Sequence, residues 1–260
     1  MKMYQVRIPI LMYHRIGDTA LDRRFCVSPQ EFQRQMQYLR DREYRVIGLA
    51  ALLELLAGKV QPLGKVTAIT FDDGFQDTID YACPILKKFH YPATFFIISR
   101  LMGLTNQWMQ SAGYPVARLI GWEQARQLDA EGFSIGSHTA THPILPEING
   151  DAASYEIRDS KRSIEDRLGI PVHFFAYPYG RFDQRIRNLV QESGYQAACS
   201  TQAGFNGNQV DRFALRRLDI YGTDLLSTFG RSLLFGENQM NLRRLARYYL
   251  QRSAARFAYK

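Results

Sequence analysis

Val66-Thr67-Ala68-Ile69-Thr70-Phe71-Asp72-Asp73-Gly74 is the stretch on which the fold turns. Its first six residues are β-branched or apolar, with no polar face, the composition of a strand buried on both sides as in a parallel sheet. Two carboxylates and a glycine end the run. A helical pattern follows over about 77–89, in which Pro84 is expected to kink or shorten the helix. Strand, tight turn and helix together make one β-then-α unit.

The same unit repeats in both directions. Upstream, 8–13 reads as a buried strand. Ser28-Pro29-Gln30-Glu31 combines a capping box with proline at the first helical position, opening a helix whose Phe32, Met36 and Leu39 share a face. A short strand at 45–47 and a Leu-rich helix at 49–57, ended by Gly58, come next. Downstream, strands are expected at 93–98, 133–137, 172–176, 195–199 and 213–220. Helices fall near 122–131, 152–168, 183–192 and 224–235, with an irregular stretch at 101–119. Seven or eight such units with few hairpin signals predict a mainly parallel sheet in a single α/β domain over residues 1–240. At this length a barrel is favoured over an open doubly wound sheet. There is no internal repeat and no linker that divides the chain.

The 260 residues carry 33 Lys+Arg against 25 Asp+Glu, a net charge of +8, and 46% are apolar, which excludes a disordered or collagen-like chain. The basic excess is local. Arg243, Arg244, Arg247, Arg252, Arg256 and Lys260 stand in 241–260 without an acidic residue, and removing those six from +8 leaves +2 for the rest. The near-neutral body removes the motive for nucleic-acid binding. Leu242, Leu245, Ala246, Tyr249 and Leu250 recur at helical spacing, so 241–260 is expected to be a basic amphipathic helix, on an anionic membrane surface or packed against the barrel. Cys26, Cys83 and Cys199 are odd in number and far apart, which speaks against a disulfide framework or a thiolate zinc site. With no signal-peptide pattern and no apolar run of membrane-spanning length, the expected location is cytoplasmic.

Polar residues cluster just after the expected strands. Asp72 and Asp73 are adjacent at a strand end and point differently, so one can bind a metal while the other moves a proton; by itself, Asp-Asp-Gly is an ordinary turn. In Phe133-Ser134-Ile135-Gly136-Ser137-His138-Thr139-Ala140-Thr141-His142, two histidines sit at i, i+4, which on one helical turn face the same side. With Asp73 they make a set of three protein ligands that leaves coordination positions open for water and substrate, as at catalytic Zn²⁺. Two histidines and a carboxylate also suit non-haem Fe(II), but Asp72 beside the set favours hydrolysis. Tyr177-Pro178-Tyr179-Gly180 forces a turn after a fourth strand, and Met12-Tyr13-His14 follows the first. In a parallel barrel these strand ends share one face. His90 and His173 read as structural. Asp77, Trp122, Arg181 and Asp183 are possible pocket residues, with cap, core or surface roles at least as natural.

Thr70-Phe71-Asp72-Asp73-Gly74, His138-Thr139-Ala140-Thr141-His142 and, in part, Tyr177-Pro178-Tyr179-Gly180 resemble the three motifs of the polysaccharide deacetylase family, the NodB-homology domain of family 4 carbohydrate esterases. The resemblance spans about 8–220. It implies a distorted (β/α) barrel and metal-dependent removal of acetyl groups from N-acetylated sugars in an oligo- or polysaccharide or a lipid-linked glycan, with Zn²⁺ the expected metal. It implies Asp72 as base, Asp73, His138 and His142 as metal ligands, and the Tyr179 N–H as oxyanion donor. The sequence departs from the family in two places. An Arg that holds the base in many relatives is replaced by Ala176, and no His follows His173 to serve as a late general acid. The Met-Tyr-His opening resembles a subgroup that includes exopolysaccharide N-deacetylases, and on that basis His14 is the expected acid. The rivals are a metal-dependent amidase on a non-sugar substrate and a non-catalytic carbohydrate-binding protein on the same scaffold.

Overall fold

The computed structural model describes residues 7–17, 22–60, 64–110 and 112–238. Strand β1 (Ile10–Tyr13) leads into a two-stranded parallel pair, β2 (Arg15–Ile16) with β3 (Cys26–Val27), and then helix α1 (Pro29–Asp41). Ser28 accepts a hydrogen bond from the Glu31 N–H at 3.2 Å, Pro29 fits the first turn, and Phe32, Met36 and Leu39 bury one face, so α1 forms as its sequence dictates. β4 (Tyr44–Val46), α2 (Leu49–Leu56), β5 (Lys65–Phe71), α3 (Gln76–Phe89) and β6 (Thr94–Ile97) continue the alternation. α4 (Gln107–Gln110), α5 (Trp122–Ala130), β7 (Ser134–Ser137), α6 (Gly150–Leu168), β8 (Phe174–Ala176), α7 (Gln184–Glu192), β9 (Ala197–Cys199), β10 (Leu218–Asp219) and α8 (Leu226–Phe235) complete it. α3 runs on through Pro84. Pro84 and Asp80, whose carbonyl loses its helical donor, are both on the exposed side of the helix, where the break is tolerated.

The main sheet has the order β10-β1-β5-β6-β7-β8-β9, with β4 also pairing β5, and every pairing in it is parallel. One short segment joins its two ends: Leu215 bridges Cys199 of β9, and Leu218 pairs with Leu11 of β1. The result is a distorted (β/α) barrel. Its two faces follow the period-2 rule. Leu11, Tyr13, Ile69, Phe71, Phe95 and Phe175 join the cluster that packs against α1, α3 and α5. Ile10, Ala68, Phe96, Phe174 and Ala176 join the other, together with Leu49, Leu52 and Leu55 of α2. A Cβ on Gly136 would meet the Phe96 ring at 2.4 Å, so this strand position requires glycine.

Most strands are shorter than expected, in general by one or two residues at an end, and for two of them, β10 and β8, the competing bonds are evident. In place of a continuous strand over 213–220 there are an isolated bridge at Leu215 and the two-residue strand Leu218–Asp219, because between them the Asn206 side chain accepts from the Arg216 N–H (2.9 Å) and donates to the Arg216 carbonyl (2.9 Å). β8 begins at Phe174, not 172: the Val172 N–H donates to Glu165 (2.9 Å) and its carbonyl accepts from Lys161, so side chains of α6 occupy both groups. Cys26, Cys83 and Cys199 are buried and unpaired. No helix among the described residues is long and apolar enough to cross a membrane. The segment expected as an amphipathic helix, 241–260, lies outside the described residues.

Candidate active site

The carboxyl ends of the strands open into a cavity of about 400 Å³ that brings His14, Asp72, Asp73, His138, His142 and Tyr179 together. Asp73, His138 and His142 are buried, and their donor atoms lie within 4.8 Å of one another. Each histidine Nε2 stands 3.4 Å from Asp73 Oδ1. His138 Nδ1 is 2.7 Å from the Ala176 carbonyl, a contact that assigns a ring proton to Nδ1 and turns Nε2 toward Asp73. Burial holds the His142 imidazole far below its usual pKa, at about 3, so it is neutral at physiological pH. Two imidazoles and a carboxylate whose donor atoms converge fit a divalent ion of the zinc type.

The histidine pair does not meet on a helical turn, contrary to its i, i+4 spacing. Residues 138–142 form an irregular loop in which Thr139 (φ 69°) and His142 (φ 68°) are left-handed, as is Asp73 (φ 73°). Non-glycine residues in this region cost on the order of 1 kcal/mol or more each, so the surrounding structure must impose the conformation. Glu156 of α6 does so from beneath: its carboxylate accepts from the Ala140 N–H (2.9 Å), the Thr141 N–H (2.8 Å) and the Thr141 hydroxyl (2.7 Å). Thr139 Oγ1 accepts from the His142 N–H (2.9 Å). Glu156→Ala is expected to cost about 2 kcal/mol or more in chemical denaturation and to weaken divalent-ion binding roughly tenfold by titration. Unchanged values on both measures would remove Glu156 from the support of the loop.

Asp72 continues the parity of Ala68 and Thr70, which turns its carboxylate inward, and there it meets Arg217. The guanidinium donates Nη1–H to Oδ1 and Nη2–H to Oδ2, both at 2.7 Å. Its Nε–H donates to the Ser200 carbonyl (2.9 Å) and Nη1 also reaches Thr70 Oγ1 (3.3 Å). Arg217 is fully buried at 0% exposure, so this bidentate pair is not a surface contact. Burial pushes the Asp72 carboxyl up, but Arg217 and then His138 outweigh it and hold the group below the usual carboxylate range. Asp72 therefore stays ionised. Arg217 answers the departure at Ala176: the arginine comes from the segment before β10 and not from the third motif. Two arginines, Arg216 and Arg217, and an aspartate inside an otherwise apolar expected strand, 213–220, were the signal for it.

His14 is half-buried on the opposite wall. Thr78 Oγ1 donates to its carbonyl at 2.9 Å, and the next residue, Arg15, is ion-paired to Asp77, so the first turn of α3 fixes the backbone around it. Asp219 lines the same wall. Burial raises its carboxyl pKa, and the charges of His14 and Arg217 act against that shift. Tyr179 sits in the turn after β8 with φ 57°. Its N–H donates to no acceptor among the described residues, and its ring lies 4.7 Å from that of His142.

Four possible pocket residues have ordinary roles. Asp77 pairs with Arg15, Trp122 opens α5 beneath Arg167, Arg181 pairs with Glu147 at 2.6 Å, and Asp183 caps α7 by accepting from the Ile186 N–H at 2.8 Å. His90 is the left-handed C-cap of α3, and His173 contacts Gln196. Sequence reasoning missed Arg217, Asp219 and Glu156, and also the aromatic lining from Phe25, Trp108, Tyr114 and Tyr221.

A parallel α/β barrel that gathers carboxylates and imidazoles at the carboxyl ends of its strands has the design of a barrel hydrolase. The chain belongs to the polysaccharide deacetylase family, whose model matches residues 59–198, more than half its length. Over 224 residues it is 29% identical to YxkH of Bacillus subtilis (strain 168), a protein named for polysaccharide deacetylation, covering 86% of this chain and 75% of that one. It is 26% identical over 203 residues to a poly-β-1,6-N-acetyl-D-glucosamine N-deacetylase of Staphylococcus epidermidis, covering 75% and 68%. The structure of the Streptococcus pyogenes deacetylase PplD in complex with acetate superposes with a TM-score of 0.76 at 26% identity, covering 90% of this chain and 99% of that one. The family places the chain among hydrolases of carbon–nitrogen bonds.

Proposed function

We propose that the chain is a metal-dependent N-deacetylase acting on an N-acetylated sugar of an oligo- or polysaccharide or a glycan precursor. The observation that carries this reading is the buried Asp73–His138–His142 set beside an ionised, arginine-held Asp72. A divalent ion, Zn²⁺ by the donor set, would be held by Asp73, His138 and His142 and would supply polarisation of the acetamide carbonyl and acidification of water. Asp72 then accepts the proton of the attacking water at a carboxylate oxygen. Water oxygen bonds to the acyl carbon, and the Tyr179 N–H donates to the developing oxyanion. His14 gives a proton to the departing nitrogen as the C–N bond breaks, and the products are acetate and the amino sugar.

The case for a non-catalytic scaffold rested on Ala176 in place of an arginine, and the Arg217–Asp72 pair counts against it. The test is acetate release from N-acetylglucosamine oligomers and from lipid-linked and nucleotide-linked N-acetyl sugars. Release should stop with a chelator and return with added Zn²⁺. His14→Ala should slow release from these amides far more than from an activated acetyl ester, whose leaving group needs no proton. Chelator-resistant release, or none from any saccharide, would sink the reading.

A further inference from the structure

The cavity has two aromatic walls, and only one stands beside the metal-ligand set. Trp108 and Tyr179 flank the His142 ring at 4.8 and 4.7 Å. The other wall is built by Phe25, Tyr114 and Tyr221, from three segments far apart in sequence. The Phe25 ring lies 5.6 Å from Tyr114 and 6.1 Å from Tyr221, and 5.1 Å from the imidazole of His14. All three rings are half-buried and line the cavity. Exposed Arg24 lays its guanidinium over Phe25 (5.2 Å) and Tyr221 (5.6 Å), tying the two rings together at the rim.

The chemistry gives this wall a direction. The bond that breaks joins the acyl carbon to a nitrogen, and that nitrogen carries the sugar. The group that protonates it must stand on the sugar side of the acetamide. If His14 is that group, the pyranose lies on the His14 side, where the nearest ring is Phe25. The C–H face of a pyranose is apolar and edge-positive, and it stacks favourably on the negative face of an aromatic ring. A cavity of about 400 Å³ is in the small end of ligand-pocket sizes. It suits one reacting sugar, with the wall leading the next one toward the rim.

We infer that Phe25, Tyr114 and Tyr221 form the saccharide ledge of the active site, holding the ring that bears the reacting acetamide and selecting a sugar chain over a small acetyl donor. This rests on the deacetylase reading above. The test compares Phe25→Leu and Tyr221→Leu, which keep apolar bulk but lose the π face, with Tyr221→Phe, which keeps it. In the metal-loaded full chain, kcat/KM is measured for an N-acetylglucosamine tetramer and for 4-nitrophenyl acetate, which has no sugar ring. Each leucine variant should lower the tetramer-to-ester ratio by about fivefold or more, mainly through KM for the tetramer, while Tyr221→Phe stays near the wild-type ratio. Ratios within about twofold of wild type in both leucine variants would overturn the ledge and leave the deacetylase reading standing. Wild-type protein that hydrolyses the ester but releases no acetate from the tetramer or any other N-acetylated saccharide would overturn that reading and the ledge with it.

Discussion

Arg217→Met should lower the unfolding free energy by about 3–5 kcal/mol and cut deacetylation by about two orders of magnitude or more. Both effects come from one contact. Arg217 is fully buried and donates two 2.7 Å hydrogen bonds to Asp72, which is 3% exposed. Removing the cation leaves a nearly buried carboxylate without its partner, and the cost of that stranded charge exceeds the worth of the pair itself. It also releases the carboxylate from the orientation that faces the ligand triad. The double variant Asp72→Asn/Arg217→Met separates the two consequences. With no charge left to strand, it should regain most of the stability while remaining inactive. Urea denaturation of the four proteins in the cycle measures the coupling. A single Arg217→Met variant as stable and as active as wild type would show that the pair neither holds the barrel nor serves the base.

What could be read from sequence divides along the distance over which each interaction acts. β5 and its neighbours were legible because an apolar run and its periodicity are local, and α1 because Ser28 caps it within one turn, although the Glu31 carboxylate turns to Arg34 and does not complete the expected capping box. The ligand set was legible for a similar reason: Asp73 ends one strand, and His138 and His142 follow the end of another. The mechanism of convergence was not. A spacing of four suggested a helical turn, whereas the pair meets through two left-handed residues held by Glu156, which lies 14 residues beyond His142 and bonds to backbone groups that carry no sequence signature. Arg217 is 145 positions from Asp72, and only barrel closure brings it there. Its segment read as a plain strand because the Asn206 side chain, which displaces the ladder at Arg216, gives no periodic signal. The aromatic ledge is the same case, since three loops contribute one ring apiece.

The two adjacent aspartates should separate cleanly, and this is the sharpest test of their roles. Asp72→Asn keeps a planar side chain of the same size and leaves the triad of Asp73, His138 and His142 intact, so the protein should retain its divalent ion with near-wild-type stoichiometry. Its kcat should nevertheless fall by about 10²–10⁴, the span ordinarily lost with a general base. Asp73→Asn and His138→Ala remove one of three ligands, and for these the metal itself should be lost on dialysis, with activity falling below that of Asp72→Asn. The structure motivates the asymmetry: Asp73 Oδ1 lies 3.4 Å from both imidazole nitrogens, while both oxygens of Asp72 are engaged by Arg217. Metal analysis of the dialysed variants alongside acetate release distinguishes the roles. An Asp72→Asn protein that sheds its ion while Asp73→Asn keeps it would reverse the assignment of base and ligand, because backbone geometry at a strand end turns neighbouring side chains to different faces and lets only one of the two serve the metal.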